Sequence, residues 1–96
     1  MTLTWSSPMD AWQTLYVELQ REAESIFASS GEVIVVTPDR ESGSVLMLTS
    51  RARSLKLTYV PDKIAVRWDT AAEYGFERIS DDNTSVARAL IRRLRR

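Results

Sequence analysis

The 96-residue chain contains neither histidine nor cysteine. Without histidine it lacks the side chain that changes charge near neutral pH and most often shuttles protons. Without cysteine it has no thiolate nucleophile, no disulfide and little of the usual zinc donor set. Glycine is scarce too: the three residues stand alone at 31, 43 and 75, which excludes the phosphate-cradling loops of Walker and Rossmann proteins. The longest aliphatic runs, Val33-Ile34-Val35-Val36 and Val45-Leu46-Met47-Leu48, are strand-sized and far short of the roughly 20 residues that cross a bilayer. No membrane contact is expected. The first basic residue is Arg21, so the charged start of a secretory leader is missing and a cytoplasmic location is the expectation.

What is present fits one globular domain over residues 1–96, with 44% hydrophobic and 27% charged residues. The formal net charge of zero conceals a division. Residues 1–50 carry seven acids and two bases, and residues 51–96 carry six acids and eleven bases, so the halves stand at −5 and +5. Such halves can neutralise each other within the fold, attract a second copy, or offer a basic face to an acidic ligand.

Ser7-Pro8-Met9-Asp10 reads as a helix start, with a hydroxyl cap, proline at the first helical position and an acid at the positive end of the dipole. Trp12, Leu15, Tyr16, Leu19, Ala23, Ile26 and Phe27 then recur at three- and four-residue steps, and Gly31 can adopt the left-handed cap. This predicts a helix over about 8–29 with that stripe buried on a sheet. Strands follow at about 32–37, 44–49, 54–60, 63–69 and 73–79, separated by turn formers. Pro61-Asp62 reads as a two-residue turn, and Gly75 as a mark of a bulge in the fifth strand. A last helix over about 83–95 has acids and possible caps before it and arginines at its end, as the dipole favours. The expected fold class is α+β: an α-β-β-β-β-β-α chain whose antiparallel meander is packed by the N- and C-terminal helices.

Alternation places Leu55, Leu57 and Tyr59 with Ile64, Val66 and Trp68 on one sheet face, and Lys56, Thr58, Arg67 and Asp69 on the other. In the first two strands both faces are apolar: Ile34, Val36, Leu46 and Leu48 oppose Val33, Val35, Val45 and Met47. One layer of helices covers one face. The second apolar patch therefore calls for a cover, either a second copy of the chain or a wrap by the last helix or by the segment around Trp5.

Catalytic chemistry finds no footing. Asp81-Asp82-Asn83 lacks the alternate spacing of a calcium loop and reads as capping. Asp69, Glu73 and Glu77 read as surface carboxylates, and neither Lys56 nor Lys63 lies in a Ser-x-x-Lys motif. No catalytic residue, metal ligand or cofactor is expected. The leading expectation is a non-catalytic interaction or assembly module, homodimeric, that binds an acidic protein partner through apolar sheet surface and the basic C-terminal helix. The contact residues predicted on charge are Arg51, Arg53, Lys56, Arg67, Arg88, Arg92, Arg95 and Arg96. One alternative is weak nucleic-acid binding by the C-terminal arginines. Against it stand a pI of about 6.2 and the placement of Tyr59 and Trp68 on the face opposite Lys56 and Arg67. Another is a small apolar ligand held between the first helix and the sheet near Trp12, Tyr16, Tyr59 and Trp68.

Overall fold

The computed structural model describes residues 8–51, 53–79 and 83–95. Its elements run α1 (Pro8–Ser30), β1 (Val35–Pro38), β2 (Val45–Ser50), β3 (Arg53–Val60), β4 (Ala65–Asp69), β5 (Tyr74–Arg78) and α2 (Asn83–Arg95). The five strands form one open antiparallel sheet in the order of the chain. This is the α+β meander expected from the sequence. The cap read at Ser7, Pro8 and Asp10, the segment around Trp5 and the caps at residues 80–82 fall outside the described residues or side chains. No helix among the described residues is long and apolar enough to cross a membrane.

Helix α1 ends where Gly31 takes φ 77° and donates its N–H to Phe27 O at 2.8 Å, a left-handed close that glycine makes without Cβ strain. Its buried side is Trp12, Leu15, Leu19 and Ala23, with Tyr16 and Ile26 partly covered. Phe27, predicted to continue that stripe, is 57% exposed. Only the short β1 runs beside the end of the helix, so Phe27 has no sheet beneath it.

Both helices lie on one side of the sheet. Ala87, Leu90, Ile91 and Leu94 of α2 join Leu15 and Leu19 of α1 over Leu46, Leu48, Leu55, Leu57, Tyr59, Val66 and Trp68 in a single core. Each fully buried aliphatic side chain contributes about 1.5–3 kcal/mol. Buried Asn83 opens α2 and ties it to α1, donating Nδ2–H to Ala11 O at 3.1 Å. Helix α2 therefore does not wrap the second sheet face.

Three sequence expectations are corrected here. First, Pro61-Asp62 is not a two-residue turn: Pro61–Lys63 makes one 3-10 turn, closed by Ile64 in the left-handed region at φ 46° and ψ 55°. The extra residues push the start of β4 to Ala65, and Ile64 leaves the core face and is 49% exposed. Second, Gly75 marks no bulge, because β4 and β5 pair without interruption and Gly75 stands opposite Trp68. Third, β1 begins at Val35 rather than near 32. Val35 pairs with Thr49 and β2 ends at Ser50, so the preceding residues have almost no strand to pair with.

Candidate interaction surface

The sheet face away from the helices is built from every second residue of the five strands. Register aligns Thr37, Met47, Lys56, Asp69 and Tyr74 in one row. Val45, Thr58, Arg67 and Phe76 form the next row. Val35 lies beside Thr49 at the β1 edge. Alternation in β3 and β4 makes this face legible in the sequence, the two-faced apolar β1 and β2 join it only through the register, and the structure leaves it uncovered by either described helix.

Arg67 is the centre of its organisation. Its guanidinium bonds Asp69, two residues along the same strand face, with Nη2 at 3.0 Å and Nε at 3.1 Å from Oδ1. The same group lies 4.3 Å from the centroid of the Tyr74 ring on the neighbouring strand. Tyr74 meets Phe76 edge to face at 6.2 Å and 85°, and Lys63 Nζ lies 4.9 Å from the Phe76 centroid. Such contacts hold cations above the electron-rich ring faces. Asp69 is the one strand acid on this face among the described residues, against Lys56, Lys63, Arg67 and Arg78. The face is thus apolar and cationic at once.

Sequence reasoning missed Tyr74 and Phe76 as members of this surface. The signal was their period-two spacing in the fifth strand, and assigning its face needed the register to β4. Their placement also removes one argument against nucleic-acid binding, since these aromatics share a face with Lys56 and Arg67.

The predicted contact residues divide among three places. Lys56 and Arg67 are on the open face. Arg88 and Arg92 lie along α2 on the far side of the molecule. Arg51, Arg53 and Arg95 converge at the β2–β3 end, around a cleft of about 440 Å³ that Glu32, Ser50 and Leu94 also line. Arg96 falls outside the described residues.

Much of the charge of α2 is met by the acidic first half of the chain. Arg95 reaches Glu32 at 2.9 Å, and Arg88 reaches Glu22 at 3.5 Å. Glu32 also accepts the buried Ser50 hydroxyl at 2.8 Å. Arg93 lies 3.9 Å from Glu73 and 4.2 Å from the Trp68 ring centroid.

At the place considered for a small ligand, described side chains pack on one another. Trp12 stacks on Tyr59 at 5.5 Å and 18°, and its indole N–H reaches Gly43 O at 2.8 Å. The Tyr59 hydroxyl is buried without a hydrogen-bond partner among the described residues, and burial pushes its ionisation above the ordinary tyrosine range. A separate apolar groove of about 490 Å³ runs between the end of α1 and β1, with Phe27, Val33 and Val35 in its walls. Among the described residues no three Asp or Glu side chains gather closely enough to hold a metal ion. No protein-family model matches the chain, and no match is found among curated proteins or solved structures.

Proposed function

We propose that this chain is a small, non-catalytic, cytoplasmic assembly module that works as a homodimer and docks an acidic protein partner on the open face of its sheet. The observation that carries this reading is the sheet face that neither described helix covers. Val35, Tyr74 and Phe76 on it are between 44% and 59% exposed, and Val45 and Met47 stand beside Val35 on the β1–β2 side. They form two apolar groups, Val35, Val45 and Met47 on β1–β2 and Tyr74 with Phe76 on β5, and grouped apolar side chains of this kind, unlike single ones, are the usual mark of an interaction site. The cations give the partner its character: a surface acidic over β3 and β4 and apolar on either side of them is the electrostatic complement. The arginines of α2 contribute less, because Arg88, Arg93 and Arg95 already face carboxylates of this chain.

A photo-crosslinking residue at Met47, with the same residue at Arg92 as the reference, tests the docking surface in cells. The expected result is one recurring acidic protein captured from position 47 and lost when Phe76→Asp is added. Capture from position 92 alone, or from neither, overturns the reading.

One observation favours a second reading. Tyr74 and Phe76 share a face with Lys56, Lys63, Arg67 and Arg78, a combination of stacking rings and cations used for single-stranded nucleic acids. It ranks second because a cation of this chain already lies over each ring and because the net charge is zero. Fluorescence anisotropy with oligo(dT) and oligo(U) at 50 and 200 mM salt separates the readings. Binding that weakens steeply with salt and is lost in Tyr74→Ala would install the second reading in place of the first.

A further inference from the structure

The sheet has two edges, and they are unequal. Asp39 donates its N–H to Val45 O at 3.0 Å, and bonded and non-bonded pairs alternate along an antiparallel ladder. In β1, therefore, Val35 and Thr37 bond inward to β2, while Val36 and Pro38 present their backbone outward. Pro38 has no N–H to offer. Proline on a short strand is a common way of blunting an edge against further pairing.

Among the described residues the β5 edge has no such protection. Thr70 N–H bonds Glu73 O at 2.8 Å and Ile79 N–H bonds Ile64 O at 3.0 Å. With the β4–β5 register, these two bonds fix the phase of the ladder. The N–H and C=O groups of Tyr74, Phe76 and Arg78 point away from β4, and no described strand pairs with them. The strand has neither proline nor bulge, and the same three residues carry their side chains on the open face.

We infer that a second copy of this chain pairs with β5 about a two-fold axis at Phe76, joining two five-stranded sheets into one. The inference rests on the homodimer part of the proposed function and supplies its geometry. Stacking two open faces would set cations of one copy against those of the other, because Lys56, Lys63, Arg67 and Arg78 outnumber Asp69 on each. Edge pairing avoids that repulsion and leaves both faces free for partners.

The strand is self-complementary in this register. Phe76 faces Phe76 of the second copy, and Tyr74 faces Arg78, so Arg78 comes beside a ring edge and not opposite the Arg78 of the other copy. All three outward residues fall at bonded positions, giving about six new backbone hydrogen bonds. On the helix side Glu77 of the second copy falls opposite Gly75, beside the Trp68 ring that carries Arg93. The arrangement is isologous and closes on itself. One five-residue strand is small beside the roughly 1,200–2,000 Å² buried in stable complexes, so the dimer should be weak and concentration-dependent.

The absence of cysteine makes the test clean. Tyr74→Cys and Arg78→Cys are prepared as separate single variants, mixed, and oxidised. In the inferred pair these positions have Cα atoms about 5.5 Å apart, within disulfide reach. Two copies of the same position lie about 13 Å apart along the strand. The expected result is at least roughly tenfold more crosslinked dimer in the mixture than in either variant alone, converting four residues of offset into a register readout. Phe76→Pro, which removes an outward N–H and leaves the β4 ladder intact, should abolish dimers that Phe76→Ala only weakens, with both variants folded by circular dichroism. Light scattering on the unmodified chain separates the failures. A dimer whose cysteine mixture does not crosslink preferentially overturns the β5 pairing and leaves the homodimer standing; a monomer up to millimolar concentration overturns both.

Discussion

Gly75 leaves the space that the indole of Trp68 occupies. The two residues are directly opposite on β5 and β4, and a Cβ at position 75 would overlap the six-membered part of the ring. Since Trp68 is buried under α2 with Arg93 over it, the ring has little room to retreat. Gly75→Ala should therefore destabilise the fold by about 1–3 kcal/mol, the usual cost of overpacking. Urea denaturation followed by tryptophan fluorescence measures it. An unchanged midpoint would mean that Trp68 reaches another rotamer at no cost.

That contact also shows where sequence reading stopped. A glycine inside a strand pattern signals either a bulge or a close approach, and choosing between them needs the residue across the ladder. The faces of β3 and most of β4 were legible because Leu55, Leu57, Tyr59, Val66 and Trp68 alternate with polar residues, whereas Val45-Leu46-Met47-Leu48 is apolar on both sides and its core face needed the register to β3. The phase of β5 was not legible. Tyr74 and Phe76 become a surface only once Asp69 is known to pair with Tyr74. The charge division was visible as a count, whereas its main use, α2 arginines meeting acids of the first half, depended on how the helices and β1–β2 region pack.

Tyr59 offers a test in which removing an atom costs little. Its ring stacks on Trp12, but its buried hydroxyl has no partner among the described residues. Tyr59→Phe keeps the stack and removes the unpaired group, so stability should be unchanged or should rise by up to about 1 kcal/mol. A pH effect follows from the same burial. The phenol's folded-state ionisation is raised by desolvation, so the stabilising difference is present below the ordinary tyrosine range near pH 10 and is lost as pH climbs through the raised value. Above that range the native protein should lose stability faster than Tyr59→Phe. Equal slopes in alkaline denaturation would show that the hydroxyl ionises freely in the folded state.

Glu32 joins two parts of the fold, accepting from Arg95 at 2.9 Å and from Ser50 at 2.8 Å. The two bonds should differ in cost. The Arg95 side chain is 44% exposed, so a double-mutant cycle of Glu32→Gln with Arg95→Gln should give a coupling of about 0.2–1 kcal/mol that shrinks in salt. Ser50 is buried, and Glu32→Ala should cost about 1–3 kcal/mol by leaving its hydroxyl unpaired. That second loss should persist at high salt. A coupling that is insensitive to salt would mean the pair is shielded more fully than its exposure implies.

Ile64 gives the sharpest stability prediction, because its backbone and its side chain disagree. A β-branched residue at φ 46° and ψ 55° sits where Cβ crowds the following carbonyl, at a cost of about 1–2 kcal/mol. Its backbone groups are well used, the N–H on Pro61 O at 3.1 Å and the C=O on Ile79 N–H at 3.0 Å, so the conformation is held by the turn and the sheet. The side chain is 49% exposed and gains little from burial. Asparagine tolerates this region far better. Ile64→Asn should therefore raise stability by about 0.5–1 kcal/mol with the same fold, as measured by thermal and urea unfolding. Strain of this kind often persists where the side chain serves contact with something else. If Ile64→Asn stabilises the isolated chain yet reduces photo-crosslinking from Met47, Ile64 belongs to the docking surface. If it destabilises the isolated chain, its apolar side chain is packed within the protein and the strain is already offset there.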